Sequence, residues 1–314
     1  MDDKIYDLII IGAGPAGLSS CIYAGRANID TLLIEKQQEG GQIIKTNIIE
    51  NYPGCIDGES GQSLIDRMSK QVEKINIKKV YDEVKNIKCD NKIKIVNCEK
   101  TIYKAKSIII ATGCHSKPIG CKNEEKYVGL GISYCATCDA NFFVDCDVYV
   151  VGGGNSALEE AIYLTSFAKS VTIIHRREEF RADKIIQEKV KNNKKIKIIY
   201  NSIVEEVGGD NILKYIIIKN VIDGQISKIE TNENEIIGLF GFIGIVPNTN
   251  NFKNVLLMDE DGFIITDQDM QTNICGVYAC GDVREKSLRQ VVTAVSDGAI
   301  AATQARLYIE NYDN

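Results

Sequence analysis

The residues best placed to do chemistry are two cysteines with two residues between them, Cys135-Ala-Thr-Cys138, followed at once by Asp139. Thiolate is the reactive form of cysteine, and C-x-x-C pairs often hold one thiol at a lowered pKa. The spacing lets the sulfurs join in a small ring and lets one thiol resolve a mixed disulfide made by the other. Asp139 is placed to supply or accept the proton that thiol exchange moves; it is equally well placed as a helix N-cap or first-turn acid. A zinc site would need four ligands. There is no second C-x-x-C, and the only histidines are His115 and His175, so no metal is expected. A structural disulfide or two ordinary buried thiols are the remaining readings.

Two glycine loops carry a second kind of chemistry. Gly12-Ala-Gly14-Pro15-Ala16-Gly17 has the dinucleotide spacing. The first glycine permits a tight turn, the second lets backbone approach a pyrophosphate, and the third lets helix and strand pack closely. Pro15 suits a first helical turn, where its missing N–H has no partner to lose. Glu35, 21 residues beyond Gly14, ends the next apolar run and is placed to accept bonds from ribose hydroxyls. The second loop, Gly152-Gly-Gly154-Asn155-Ser156-Ala157, repeats the device with alanine at the close-packing position. Here the strand end carries His175-Arg176-Arg177, with Arg181 four residues on. Guanidinium groups bind phosphate in a bidentate way where a carboxylate would repel it, so this site reads as one for NADPH rather than NADH. The bland alternative is a solvated basic turn whose arginines pair with Glu178 or Glu179.

Strands must deliver these loops. Ile5 to Ile11 is a continuous apolar run, as a parallel strand buried on both faces requires. Asp30 to Glu35, Ser107 to Gly113, Asp147 to Val151 and Ser170 to His175 read the same way, and helical spacing follows each glycine loop. The expected fold is α/β, with two Rossmann-like domains of one architecture. The glycine-rich segment Gly238 to Thr249 reads as a return crossing, and Gln290 to Tyr308 as a final helix with alanine and valine inside.

The 314 residues suit about two domains. Hydrophobic residues at 44% and charged residues at 25% exclude a disordered chain. The net charge of -6 disfavours a nucleic-acid partner. The longest apolar run, Ile236 to Val246, is broken by glycines and too short to span a bilayer. The acidic start, from Met1 to Tyr6, has no apolar signal region, so the cytoplasm is expected. Stable structural disulfides are uncommon there. Most of the other cysteines, such as Cys21, Cys89, Cys98 and Cys275, then read as small buried apolar residues.

Taken together, these motifs resemble the low-molecular-weight, bacterial-type thioredoxin reductases, within the two-nucleotide flavoprotein disulfide reductases. The resemblance runs from about Asp7 to Leu307. It rests on the two loops and the dithiol, together with Gly40-Gly41-Gln42, Glu50-Asn51-Tyr-Pro-Gly54, Ala111-Thr112-Gly113, His175 to Arg181, and Gly281-Asp282. It implies a discontinuous FAD-binding domain, 1–115 with 245–314, and an inserted NADPH-binding domain, 116–244, that carries the dithiol. It implies FAD contacts from Gly12, Gly14, Pro15, Ala16, Gly17, Glu35, Lys36, Gly41, Gln42, Asn51, Val84, Ala111, Thr112, Gly113, Gly281, Asp282, Arg289, Gln290 and Val291. It implies NADPH contacts from Gly152, Gly154, Asn155, Ser156, Ala157, His175, Arg176, Arg177 and Arg181. The family forms homodimers.

The placement of the dithiol just before the second loop distinguishes this family from glutathione-reductase-like enzymes, whose cysteines lie near the N-terminus of longer chains. What the resemblance implies is a two-electron relay from NADPH through FAD to the Cys135–Cys138 disulfide, and on to thioredoxin or a thioredoxin-like protein. By the same likeness Cys138 faces the flavin, Cys135 attacks the partner, and the NADPH domain rotates on the two chain crossings. Ala140, where glycine is common, and Cys280 depart from the family pattern.

Overall fold

The computed structural model describes residues 4–46, 48–75, 77–89, 92–231 and 235–312; Met1, Asp2 and Asp3 of the acidic start lie outside them. The isoleucine-rich runs lie where their lack of alternation puts them, inside. Strand Ile5–Ile11 pairs in parallel with Thr31–Glu35 on one side and Ile102–Ile110 on the other. Leu8, Ile9 and Ile10 are fully buried. Lys78–Tyr81 extends one edge, and the antiparallel pair Val84–Lys88 and Lys94–Cys98 extends the other. Val277–Ala279 also joins Ile102–Ile110. Among the described residues this makes a sheet of seven strands.

On one face lie the helices Pro15–Arg26, Gly61–Glu73 and Val291–Glu310, with a core that includes Leu18, Ile65 and Ala301. The last helix buries Ala294, Gly298, Ala301, Ala302 and Ala305. Small residues there let two helix backbones touch: a Cβ at Gly298 would come 2.1 Å from the Ala16 carbonyl oxygen. Ser19 and Ser20 use that closeness to donate to the carbonyls of Val295 and Gly298, at 2.8 and 3.0 Å.

Residues from Ser116 to Ile245 form a second unit, so the chain leaves the first after His115 and re-enters it at Val246. The second crossing thus falls one residue beyond the expected boundary. This unit has a parallel sheet in the order Ile196–Ile199, Ser170–Ile174, Asp147–Gly152, Ile237–Phe242, Ile132–Ser133. The segment from Gly238 was expected to be a return crossing. Instead Ile237–Phe242 is an interior strand beside Asp147–Gly152. Its glycines serve packing: a Cβ at Gly238 would press on Phe143, and one at Gly241 on Tyr134. The crossing proper is shorter. Ile245–Pro247 pairs with Cys114–Ser116 as a two-stranded ribbon.

A three-stranded antiparallel sheet, Ser202–Gly208, Tyr215–Asn220 and Ile226–Glu230, was not expected. Its Val204, Val207, Ile216 and Ile218 form a core with Ile132, Ile237 and Leu239 of the parallel sheet. Of the nine cysteines outside the C-x-x-C pair, Cys21, Cys121 and Cys280 are buried; Cys275 is exposed and the other five are half-buried. Cys55, Cys89, Cys98 and Cys146 pack against the hydrophobic cores from their edges, so small apolar packing accounts for most of the nine, and Cys275 is the exception among those expected to be buried.

Phe240 is fully buried and meets Phe143 edge-on, with ring centroids 5.3 Å apart. Phe240→Ala is expected to cost about 3–5 kcal/mol, read from urea unfolding of the unit that contains it. A loss below about 1 kcal/mol would mean that this aromatic pair does not hold the core.

Candidate active site

The first glycine loop is built from contacts that leave no room for side chains. Gly12 has φ +102°, and a Cβ there would lie 2.5 Å from the Ala111 carbonyl oxygen; one at Gly17 would lie 1.8 Å from that of Gly12. Strand, turn and helix therefore close on one another. Gly14 caps helix Pro15–Arg26 without a side-chain bond, which leaves the first amides of the helix for an anion. The Gly40 amide donates to the Ala13 carbonyl at 2.8 Å, and the Cα of Gly14 lies 4.0 Å from where a Cβ would stand on Gly41. Gly281 comes nearer still to Ala16, whose Cβ lies 2.8 Å from where a Cβ would stand on Gly281. Four segments distant in sequence thus gather at one helix end.

Glu35 is fixed against the loop, accepting the amides of Ala13 at 2.7 Å and Gln37 at 3.1 Å; its carboxylate keeps lone pairs for hydroxyl donors. Asp282 has a buried Oδ1 that accepts no hydrogen bond, and burial pushes its carboxyl above the usual range. A buried acceptor without a donor is costly, and a ligand hydroxyl would satisfy it. The bare helix end, Glu35 and Asp282 fit FAD.

Other expected contacts are engaged within the chain. Lys36 pairs with Glu83 at 3.2 Å. Thr112 donates to the Asn248 carbonyl at 2.9 Å. Asn51 donates to Gln290 at 3.1 Å. Val84 is buried, and its carbonyl accepts from Asn251 at 2.6 Å. Val291 is buried at the start of the last helix.

In the second unit, Gly154 likewise caps helix Asn155–Leu164 without a side-chain bond. His175 is buried beneath this loop: a Cβ on Gly153 would lie 2.2 Å from its ring. Burial lowers the His175 pKa, and its Nε2 meets the Glu179 carbonyl at 3.0 Å. The ring is thus a wedge under the loop. Asn155 exchanges two hydrogen bonds with Asp183, and the Arg181 amide donates to the Gly153 carbonyl at 2.8 Å. Arg176, Arg177 and Arg181 are exposed. Among the described residues none of the three forms an ion pair, with Glu178 and Glu179 included. Three unpaired guanidinium groups beside a bare helix end fit the phosphates of NADPH.

Cys135 and Cys138 form a disulfide, with Cα atoms 5.3 Å apart. Cys135 opens the short helix Ala136–Asp139, and the Cys138 and Asp139 amides both donate to its carbonyl. Asp139 makes no cap. Its Oδ2 instead accepts the Ser133 hydroxyl at 2.6 Å, and Ser133 Oγ in turn accepts the Cys135 amide at 3.1 Å. Burial raises the Asp139 pKa against the lowering effect of that hydroxyl. The acid next to the disulfide is therefore held in place by Ser133, with its neutral form favoured.

A model of the family described as pyridine nucleotide-disulphide oxidoreductase matches residues 6–298. The chain is 50% identical over 309 residues to the thioredoxin reductase of Peptoclostridium acidaminophilum, covering 98% of each chain. It is 41% identical to that of Bacillus subtilis, covering 98% of this chain and 96% of that one. The crystal structure of thioredoxin reductase from Streptococcus pyogenes superposes with a TM-score of 0.93 at 44% identity, covering 98% and 99%. The chain belongs to the pyridine nucleotide-disulphide oxidoreductases, in their thioredoxin reductase branch. That family depends on FAD and NADPH.

Membership accounts for the two nucleotide loops and the dithiol in one chain. Some working residues of this site gave no motif signal. Ser133 lies on strand Ile132–Ser133, and only the fold brings it to Asp139. Asp297 lies on the inward face of an alanine-rich helix and accepts the Gly281 amide at 3.1 Å. An acid among buried alanines is an anomaly that could have been noticed.

The raised Asp139 pKa has a measurable consequence. Burial favours the neutral acid, so the folded chain holds that proton more tightly than the unfolded chain. Stability that is complete below the ordinary carboxyl range is lost as pH rises through the raised value. The urea midpoint of Asp139→Asn should therefore gain on wild type between about pH 4 and pH 8. A constant difference across that range would show that Asp139 titrates normally.

Proposed function

We propose that the discontinuous unit binds FAD and the inserted unit binds NADPH, and that the Cys135–Cys138 dithiol reduces the disulfide of thioredoxin or a thioredoxin-like protein. The observation that carries this reading is a disulfide beside a half-buried acid, in the same unit as a glycine loop with three unpaired arginines. FAD supplies two-electron transfer between a nicotinamide and a disulfide. On the FAD side, the helix end at Gly14 takes the pyrophosphate, Glu35 takes ribose hydroxyls and Asp282 takes a hydroxyl deeper in the site. On the NADPH side, Arg176, Arg177 and Arg181 hold the 2′-phosphate, and Gly154 offers the helix end.

In the reduced protein the Cys135 thiolate attacks one sulfur of the partner disulfide. A mixed disulfide forms and one partner thiolate leaves. The Cys138 thiolate then attacks the Cys135 sulfur, which restores the ring disulfide and releases the second partner thiolate. Asp139 holds and delivers the protons at Cys138, positioned by Ser133. The likeness to the family supports work in the cytoplasm and a homodimer; among the described residues no helix is long and apolar enough to cross a membrane.

Anaerobic titration tests the reading. The oxidised holoprotein should take up about four electrons, two per NADPH. Cys138→Ser should take up about two. A flavin that stays yellow with NADPH but bleaches with a chemical reductant would overturn the NADPH assignment and favour a ferredoxin-fed enzyme. Arg176→Ala with Arg177→Ala should raise the KM for NADPH about 100-fold or more, because each lost bond to a charged group is worth about 1.5–3 kcal/mol. The KM for NADH should barely move. Asp139→Asn should slow thioredoxin reduction about 10²-fold or more, as followed by stopped flow.

A further inference from the structure

Two cations act on Asp282, and neither bonds to its buried Oδ1. The charges of Lys286 and Arg289 act on it through space, yet that oxygen has no hydrogen-bond partner. Each cation is occupied elsewhere. Lys286 Nζ lies 2.8 Å from Asp297 Oδ2, with only 8% of its side chain exposed. Arg284 Nε lies 3.6 Å from the same oxygen, and Arg284 Nη1 donates to the Glu285 carbonyl at 3.0 Å. Arg289 donates to the carbonyls of Lys286 and Arg284 and lies over the Phe263 ring, 4.0 Å from its centroid. Asp297 also accepts the Gly281 amide, so it grips the turn whose next residue is Asp282.

We infer that Asp297 is a positioning residue that keeps Asp282 free: it captures the Lys286 ammonium, which would otherwise close on Asp282 and compete with the FAD hydroxyl for that carboxylate. The inference rests on the assignment of FAD to this unit. Lysine carries its charge on a flexible stem. It stands four positions after Asp282, and the pairing with Asp297 decides which of two nearby carboxylates it serves. The charge of Asp297 also reaches Asp282 through space and favours its neutral form; its inferred effect on the cofactor runs through the position of Lys286, while its bond to the Gly281 amide sets the backbone.

Asp297→Asn separates these two roles, because an amide oxygen still accepts the Gly281 N–H but loses the ion pair. The apoprotein is reconstituted with FAD, and the dissociation constant is read from flavin fluorescence. Asp297→Asn should weaken FAD binding about tenfold or more. Lys286→Met in that background should restore it to within about threefold of wild type, and Lys286→Met alone should change it little. Folding is followed separately by thermal melting of each apoprotein. Equal weakening by Asp297→Asn with Lys or Met at position 286 would overturn the inference and leave Asp297 a purely structural residue. So would an equal gain from Lys286→Met in both backgrounds. If Asp297→Asn fails to fold, Asp297→Ser, paired with the same Lys286→Met rescue, carries the comparison. Wild-type apoprotein that binds no FAD would instead sink the assignment of the cofactor to this unit.

Discussion

The site in the discontinuous unit depends on one steric fact: strand, turn and helix meet so closely at Gly12 and Gly17 that any Cβ would overlap backbone. That contact sets a helix end against the carboxyl ends of parallel strands. The amides of that end are left bare because no side chain caps Gly14. Several of the other expected FAD contacts stand beside this point. Gly40 and Gly281 come up against the loop, and Glu35 is pinned to it through the Ala13 amide. Closeness of backbone, rather than any one strong bond, builds the cradle.

The inserted unit uses the same geometry with different electrostatics. Glu35 ends the second strand of one unit, whereas His175 followed by two arginines stands at the matching place in the other. The histidine does not face outward with them. It is buried, and burial lowers its pKa, so the ring supports the loop and its charged form is disfavoured. The exposed arginines are left unpaired, as the proposed phosphate contact requires. A fold shared by both units thus carries different side chains at the strand end, and the proposed choice of nucleotide rests on them.

Two carboxylic acids, Asp139 and Asp282, illustrate how burial sets chemistry. Desolvation raises both. Asp139 has a hydroxyl donor and lies beside a disulfide, an arrangement suited to moving a proton. Asp282 has a buried oxygen with no donor, an arrangement suited to receiving a ligand. The same residue type takes on two roles because the neighbours differ, and in each case those neighbours come from another element of the fold.

The sequence by itself determined much of this protein. Uninterrupted isoleucine runs specify strands buried on both faces, since a half-exposed strand must alternate. Glycine spacing specifies turns that side chains would block, and the C-x-x-C spacing specifies a ring that two sulfurs can close. These signals are local, so they are legible without a fold. Tertiary structure decided what depends on distant segments. The glycines of Ile237–Phe242 resemble a flexible crossing, yet they make room for Phe143 and Tyr134 inside a sheet. The sheet formed by Ser202–Gly208 and its neighbours lies over that parallel sheet and leaves no motif. Ser133 at Asp139, and Asp297 at Lys286, are contacts between elements. Charge pairing and burial arise only once the chain has brought such residues together, and spacing along the sequence does not encode them.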